Sequence, residues 1–322
     1  MTLSVVIVIA SDTVRRPGHA GHLRHCLEGL RAQLDAPALD VVVPHLPGVA
    51  GLADLARDFP DVRFVEVPDL PHLPRGPYRE HHDELRSRGI VVTGGPLIAL
   101  LEDHEVPASD WAARIVAAHA SSAAAAVGGA IENALHSPLA VAVWLCDFAR
   151  YLNPVPQGAS VVASDVNVAY KREALEAVFE SWSARFNERK VHAALLARGD
   201  TLALSPAIIV YQRRAGLRIA DSLIERFIWG RSYGASRCAG WGRGRRLLFA
   251  TGTAALPLVL VTRIVRTVVV RGRLSPTIVA ALPWVCLLSA AWSFGECLGY
   301  VRPGESATGF AVRRGIGMAG AS

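Results

Sequence analysis

Glu102, Asp103, His104 and Glu105 stand in a row directly after an apolar run at 97–101. Open α/β sheets place their binding sites outside the carboxyl ends of the strands, so four ligand-capable residues at such an end suggest chemistry. Glu102 and His104 are two apart, and a local turn brings both towards one cation. Oxygen donors suit Mg2+ or Mn2+, while an imidazole tilts the choice towards Mn2+. The bland alternative is a solvated acidic turn; the buried strand before the quartet is what lifts it above that. Glu188 is the other acid of interest. Val191, Leu195 and Leu196 predict a helix that begins close to it. The helix dipole and free N–H groups favour a negative charge there, so capping and catalysis carry equal weight from spacing alone. His81 and His82 are adjacent, point about 100° apart on a helix, cannot chelate together and are expected to face solvent. Gly94-Gly95 lacks the phosphate-loop pattern, and no G-x-S-x-G elbow supports a hydrolase.

These residues need a scaffold, and the front of the chain reads as alternating strands and helices. Strands are expected at 3–9, 40–43, 62–67 and 97–101, and through Val127. Helices are expected at 22–33, 52–59, 79–88 and 110–120, with a Pro-rich loop at 72–78. Such alternation with short links implies an α/β fold, a mostly parallel sheet flanked by helices. The run at 3–10 has no basic segment before it and no cleavage site after it, which points to a buried strand and a cytoplasmic front domain.

The back differs in composition. The chain has 322 residues, 51% of them hydrophobic, with a mean hydropathy of +0.29 and a net charge of +6, which excludes a disordered chain. Residues 1–210 carry 18 cationic and 24 acidic side chains; residues 211–322 carry 16 and 4, and all 16 cations are arginine. These arginines flank apolar runs, which favours anionic lipid headgroups over nucleic acid as the partner. Ala220, Leu223, Ile224, Phe227 and Ile228 predict a helix with one apolar face, so 211–246 is expected to be a basic amphipathic segment at the membrane surface. Runs at 247–262 and 277–295 predict a hydrophobic helical hairpin within 247–300, with a short basic tail at 301–322. Pro257 and Pro283 are expected to kink or break it. Arg263 and Arg266 sit awkwardly in a span, and cations on every side of both runs suit a shallow hairpin on the cytoplasmic face at least as well as two crossings. Five scattered cysteines give no disulfide partner and no zinc pattern.

Taken in order, these pieces resemble the family 2 glycosyltransferases, inverting enzymes of GT-A fold, over most of residues 3–210. Leu23, Cys26, Leu27, Leu30 and Gln33 match the family's first helix; Arg86, Ser87, Gly89, Thr93 and Gly95 match its A-R-N-x-G…A-x-G segment. Glu102-Asp103-His104 stands at its D-x-D metal motif, with Pro107 and Trp111 after it. The 167–172 segment, Asn167 to Arg172, is similar to the stretch lining the sugar and acceptor pocket, and Phe186-Asn187-Glu188 to the E-D segment that supplies the base. Gly230-Arg231, Gly295-Glu296 and Gly299-Tyr300 look like a membrane-attached subset. The resemblance implies Glu188 as catalytic base; the nearby Asp165 is the next candidate should Glu188 fail. It implies Arg86, Glu102, Asp103, Asn167 and His45 at the donor and acceptor, and His104 with Glu102 at a divalent cation, Mn2+ or Mg2+. It departs from the family at Pro44-His45-Leu46, where an Asp-Asp pair contacts the nucleoside, and in Glu102-x-His104 itself. No Q-x-x-R-W segment is evident, which disfavours repeated chain extension. The resulting expectation is transfer of a single sugar, with inversion, from a nucleotide sugar to an acceptor, plausibly lipid-linked, at the cytoplasmic face of the cell membrane. A catalytically degenerate membrane scaffold or binding protein of the same fold is the alternative.

Overall fold

In the computed structural model, residues 2–10, 20–70 and 79–303 are described, with the backbone alone at 79 and 80. The β-branched run at the N-terminus forms strand β1 (Thr2–Val8), buried along its length after the first residue. Helix α1 (Leu23–Arg31) buries Leu23, Cys26, Leu27 and Leu30, the face expected from their spacing. Then come β2 (Ala38–His45), α2 (Leu52–Asp58), β3 (Arg63–Glu66), α3 (Arg79–Val91) and β4 (Leu97–Glu102). β1 lies between β2 and β4, all parallel, with Val6 opposite both Val42 and Leu100. The carboxyl ends of β1, β2 and β4 therefore share one edge.

The second half comprises β5 (Glu105–Pro107), α4 (Trp111–Ala120), β6 (Ala126–Asn133), α5 (Pro138–Phe148), β7 (Gly158–Ser160), β8 (Val168–Lys171), α6 (Arg172–Glu176), α7 (Glu188–Ala197) and β9 (Leu202–Gln212). The sheet runs β3-β2-β1-β4-β8-β6-β9-β5, with β7 on β9. Its first four strands are parallel, and β8 enters antiparallel to both β4 and β6, so the whole is mixed. A four-residue strand has too little periodicity to announce its direction.

The C-terminal helices are α8 (Ile219–Arg237), α9 (Arg243–Gly252), α10 (Leu256–Val270) and α11 (Pro276–Val301). The surface position expected for 211–246 does not hold for α8: Glu225, Arg226 and Arg231 are all buried. The reason is α11, which lies along α8 with backbone against backbone. A Cβ on Gly295 would come within 2.0 Å of the Phe227 carbonyl oxygen, and one on Gly230 within 2.1 Å of that of Trp292. Small residues at four-residue spacing permit such an approach. Pro257 falls in the first turn of α10, where proline is tolerated, and Pro283 sits inside α11 without ending it.

Two helical stretches, Arg243–Val270 and Pro276–Val301, are long and apolar enough to cross a membrane. The turn between them is nonetheless tied to the sheet domain. Arg273 pairs with Glu132 of β6 at 2.8 Å, and the Arg271 guanidinium donates to the carbonyls of Leu152 and Arg150. The 72–78 loop and most of the basic tail, Arg313 and Arg314 included, lie outside the described residues. A turn held on Glu132 cannot also sit across a bilayer from it. With Cys286 replaced by serine, Leu274→Cys and the exposed sheet-domain variant Leu34→Cys should react with a membrane-impermeant maleimide from the same side of the membrane; labelling from opposite sides would contradict the tie.

Candidate active site

β4 delivers the acidic quartet to the shared carboxyl edge, and β1 anchors it there. The Asp103 amide donates to the Val8 carbonyl (3.0 Å), and the Ala10 amide donates to Asp103 Oδ1 (2.9 Å). The same oxygen lies 3.3 Å from His104 Nδ1. His104 Nε2 faces Glu105 Oε1 at 3.4 Å and Glu102 Oε2 at 3.7 Å. Burial alone would lower the pKa of this imidazole, but the Asp103 hydrogen bond and the charges of Glu105 and Glu102 outweigh it and push it up to about 9. Burial also raises the Glu105 carboxyl, to about 8. It raises Glu102 too, against the pull of Arg86 and His104.

Arg86, from α3, is the counterweight. Its side chain is 2% exposed and is ion-paired with Glu102, with Asp165 at 2.9 Å and with Asp83 at 3.4 Å. Burial works against its charge, but Asp165, Glu102 and Asp83 together hold it above its ordinary value. Thus α3, the end of β4 and the segment before β8 are joined through one guanidinium.

These groups open onto a cavity of about 730 Å³. Its polar end is lined by Arg86, Glu102, His104, Asp165, Glu188 and His192, and its far end by α8, α10 and α11. Glu188 is the first residue of α7, and the cap itself is Asn187, whose Oδ1 accepts from the Lys190 amide at 3.3 Å. The N-cap hydrogen bond is thus made by Asn187, and Glu188 stands beside it in the first turn. One turn on, His192 Nε2 is hydrogen-bonded with the Tyr170 hydroxyl at 2.8 Å, and burial lowers its pKa to about 4, so the ring is neutral.

The structure therefore brings together Arg86, Glu102, His104, Glu188 and Asp165. It does not bring in the other three expected residues. Asp103 is fully buried beneath the site and spends its carboxylate on Ala10 and His104. Asn167 is also fully buried, accepting from Trp111 Nε1 at 2.9 Å and donating to the Ala130 and Ile208 carbonyls. His45 ends β2 on the correct edge, but its Nδ1 lies 2.9 Å from the Leu46 carbonyl and it is not part of the cavity wall. His81 and His82 are buried, contrary to expectation, because α3 packs against β1 and β2; His82 reaches the cavity. Three contributors went unforeseen: His192, the Arg214–Glu225 pair and the Arg226–Asp147 pair. His192 had a signal, four residues after Glu188 on one helical face; the pairs, distant in sequence or read as surface, had none. Among the described residues no group of three His, Cys, Asp or Glu side chains is arranged to hold a metal ion.

No protein-family model matches the sequence, and no curated protein does. Among solved structures, the chain is similar to the mannosyltransferase PcManGT from Pyrobaculum calidifontis in complex with GDP-Man and Mn2+. The TM-score is 0.53 and the identity 15%, covering 94% of this chain and 88% of that one. It is also similar to S. aureus TarS 1–349, with a TM-score of 0.46 and 10% identity over 98% of this chain and 92% of that one. At 15% identity the first likeness is one of fold: the α/β sheet flanked by helices, with helices after it.

Arg86 generates a stability prediction. Arg86→Gln leaves buried carboxylates without their cation and should cost about 3–5 kcal/mol in chemical denaturation. Adding Asp165→Asn should recover part of that loss; a strictly additive double variant would show that the pair is not coupled.

Proposed function

We propose that this chain is an inverting, family 2 glycosyltransferase that moves a single hexosyl group from a nucleotide sugar to a lipid-linked acceptor at the cytoplasmic face of the cell membrane. The observation that carries the reading is the convergence of Glu188, Arg86, Asp165, Glu102 and His104 on one cavity at the carboxyl edge of the parallel strands. The fold shared with a mannosyltransferase that was solved with GDP-Man and Mn2+ supports it.

The residues fit a divalent cation in donor chemistry. Glu102 Oε2 and His104 Nε2 both line the cavity, 3.7 Å apart, an oxygen and a nitrogen donor that leave the remaining positions to diphosphate oxygens. Such a cation, when bound, neutralises charge on the leaving diphosphate. The carboxylates that make His104 hold a proton also favour a metal in its place, with the imidazole giving up that proton to ligate. Glu188 takes the proton of the acceptor hydroxyl as its oxygen attacks the anomeric carbon from the side opposite the diphosphate. One displacement inverts the configuration, and one base suffices. Asp165, held by Arg86 at 2.9 Å, serves to orient substrate. Exposed Leu247, Leu248, Leu258 and Val270, with arginines at 243, 245 and 246, suit the surface of an anionic leaflet. A hairpin lying shallowly on that leaflet keeps the ties to Glu132, Arg150 and Leu152.

The base is tested by a pair of variants. Glu188→Gln should lower transfer by on the order of 10²–10⁴-fold while Tm and donor affinity stay near normal. Asn187→Ala should do the reverse, costing about 1 kcal/mol of stability with transfer largely kept. Retained transfer in Glu188→Gln would remove the assignment and make Asp165 the next candidate, whereas no transfer by the unaltered chain would favour a non-catalytic scaffold. The metal is tested by calorimetry with GDP-mannose and other nucleotide sugars. Mn2+ should support donor binding better than Mg2+, and His104→Ala should weaken it; donor binding indifferent to both EDTA and His104→Ala would exclude the cation from the site.

A further inference from the structure

Tyr170 and His192 join the sheet to the helix that carries Glu188. Tyr170 belongs to β8 and is fully buried; its hydroxyl lies 2.8 Å from His192 Nε2. The two rings are 5.9 Å apart and tilted by 30°, and Phe186 packs edge-on against Tyr170 at 5.8 Å. Val191 and Leu195 of the same helix are fully buried. The imidazole is thus held by packing as well as by its hydrogen bond.

Which nitrogen of His192 carries the hydrogen follows from matching donors to acceptors. A buried hydroxyl must place its proton on an acceptor, because leaving that bond unmade is costly. Among the described residues the imidazole is the hydrogen-bond partner of the Tyr170 hydroxyl. With the hydrogen on Nε2, the hydroxyl proton would have no acceptor. The hydroxyl therefore donates, Nε2 accepts, and the hydrogen of the neutral ring stands on Nδ1. Burial keeps the ring neutral, with its pKa at about 4, and burial together with the charges of Glu188 and Asp165 keeps the phenol protonated. Nδ1 has no hydrogen-bond partner among the described residues and is not sealed in the core; His192 lines the cavity. It is an N–H donor open to that space.

Its neighbours decide what it can bind. Glu102, Asp165 and Glu188 are acceptors, and the Arg86 guanidinium is already taken up by carboxylates. His192 adds an uncharged donor one helical turn, about 5.4 Å, beyond Glu188. A phosphate gains little from an uncharged donor beside carboxylates. A sugar hydroxyl gains from both, giving its proton to a carboxylate and accepting the N–H on its oxygen. His192 is 2% exposed and joins β8 at the polar end of the cavity, whereas α10 and α11 line the far end. That position suits the sugar of the donor better than an acceptor arriving along the helices. We propose that His192 is a sugar-binding residue: its Nδ1–H, oriented by Tyr170, donates to a hydroxyl oxygen of the hexosyl group of the nucleotide sugar. The inference rests on the glycosyl-transfer reading for the identity of the ligand; the tautomer stands without it.

The test uses the full chain in phosphatidylcholine nanodiscs without acceptor. GDP-mannose and UDP-glucose are titrated by calorimetry with Mn2+, beside GDP and UDP. His192→Ala should weaken the nucleotide sugar that binds by about tenfold and leave its nucleoside diphosphate unchanged. His192→Asn, whose amide N–H stands near the place of Nδ1, should restore most of the loss; His192→Gln, which reaches the place of Nε2, should not. A structural role alone would weaken sugar and diphosphate alike and follow Tm; that result, or a sugar affinity indifferent to His192→Ala, would overturn the proposal. Unchanged donor affinity with a raised KM for the acceptor would overturn it too, in favour of an acceptor contact. Nitrogen NMR of the histidine-labelled chain, assigned by the signals lost in His192→Asn, should show His192 protonated on Nδ1 alone at neutral pH. A hydrogen on Nε2 would overturn the proposal and leave the transfer reading intact. Failure of the unaltered chain to bind either nucleotide sugar would count against both, an outcome the variants cannot produce.

Discussion

The buried guanidinium of Arg86 is the contact on which the site depends. Removing such a group from water is costly, and the cost is offset only when several carboxylates meet it in good geometry. Glu102, Asp165 and Asp83 do so from three separate segments, and satisfying one cation therefore fixes α3, the end of β4 and the approach to β8 relative to one another. Glu102 is held in place for His104 by the same bond that balances its charge. Asp103, underneath, performs the corresponding task with a backbone amide and the imidazole, clamping the end of β1 and orienting His104.

Much of this was legible in the sequence because it is local. The strand at 97–101 followed by four polar residues placed the quartet at the carboxyl edge, and β4 ends at Glu102. The apolar spacing around α1, α2 and α4 placed those helices to within a few residues. What escaped the sequence depends on partners far away in the chain. Asn167 matched a pocket segment by position, yet its amide is consumed by Trp111, Ala130 and Ile208, from three other elements. His81 and His82 read as surface because α3 is polar, but both are buried in the fold. Spacing placed Glu188 at a helix start without giving the cap; the hydrogen bond to Lys190 assigns the cap to Asn187, and Glu188 lines the cavity.

The arginine-rich back illustrates the same limit on a larger scale. Sixteen arginines in one segment suggest a uniform cationic surface. Folding sorts them instead: some become internal partners of Asp147, Glu225 and Glu132, and others remain on or beside apolar helices. Composition counts charges, but only tertiary structure says which are already neutralised. That sorting is also what turns an apolar hairpin into part of a cavity wall instead of a simple anchor.

The close contact of α8 with α11 has a consequence for how the protein is made. α11 is the last described helix to leave the ribosome, and it completes a wall of a cavity whose charged residues emerged much earlier. Until α11 is synthesised, the glycine track on α8 has nothing to lie against, and the sheet edge is open to water on that side. A nascent chain thus holds its acids and imidazoles before it can enclose them, and the finished cavity waits for the stretch of translation that makes α11. Interruption shortly before that stretch yields a polypeptide with its reactive residues present and their enclosure missing, a clear target for surveillance by proteases.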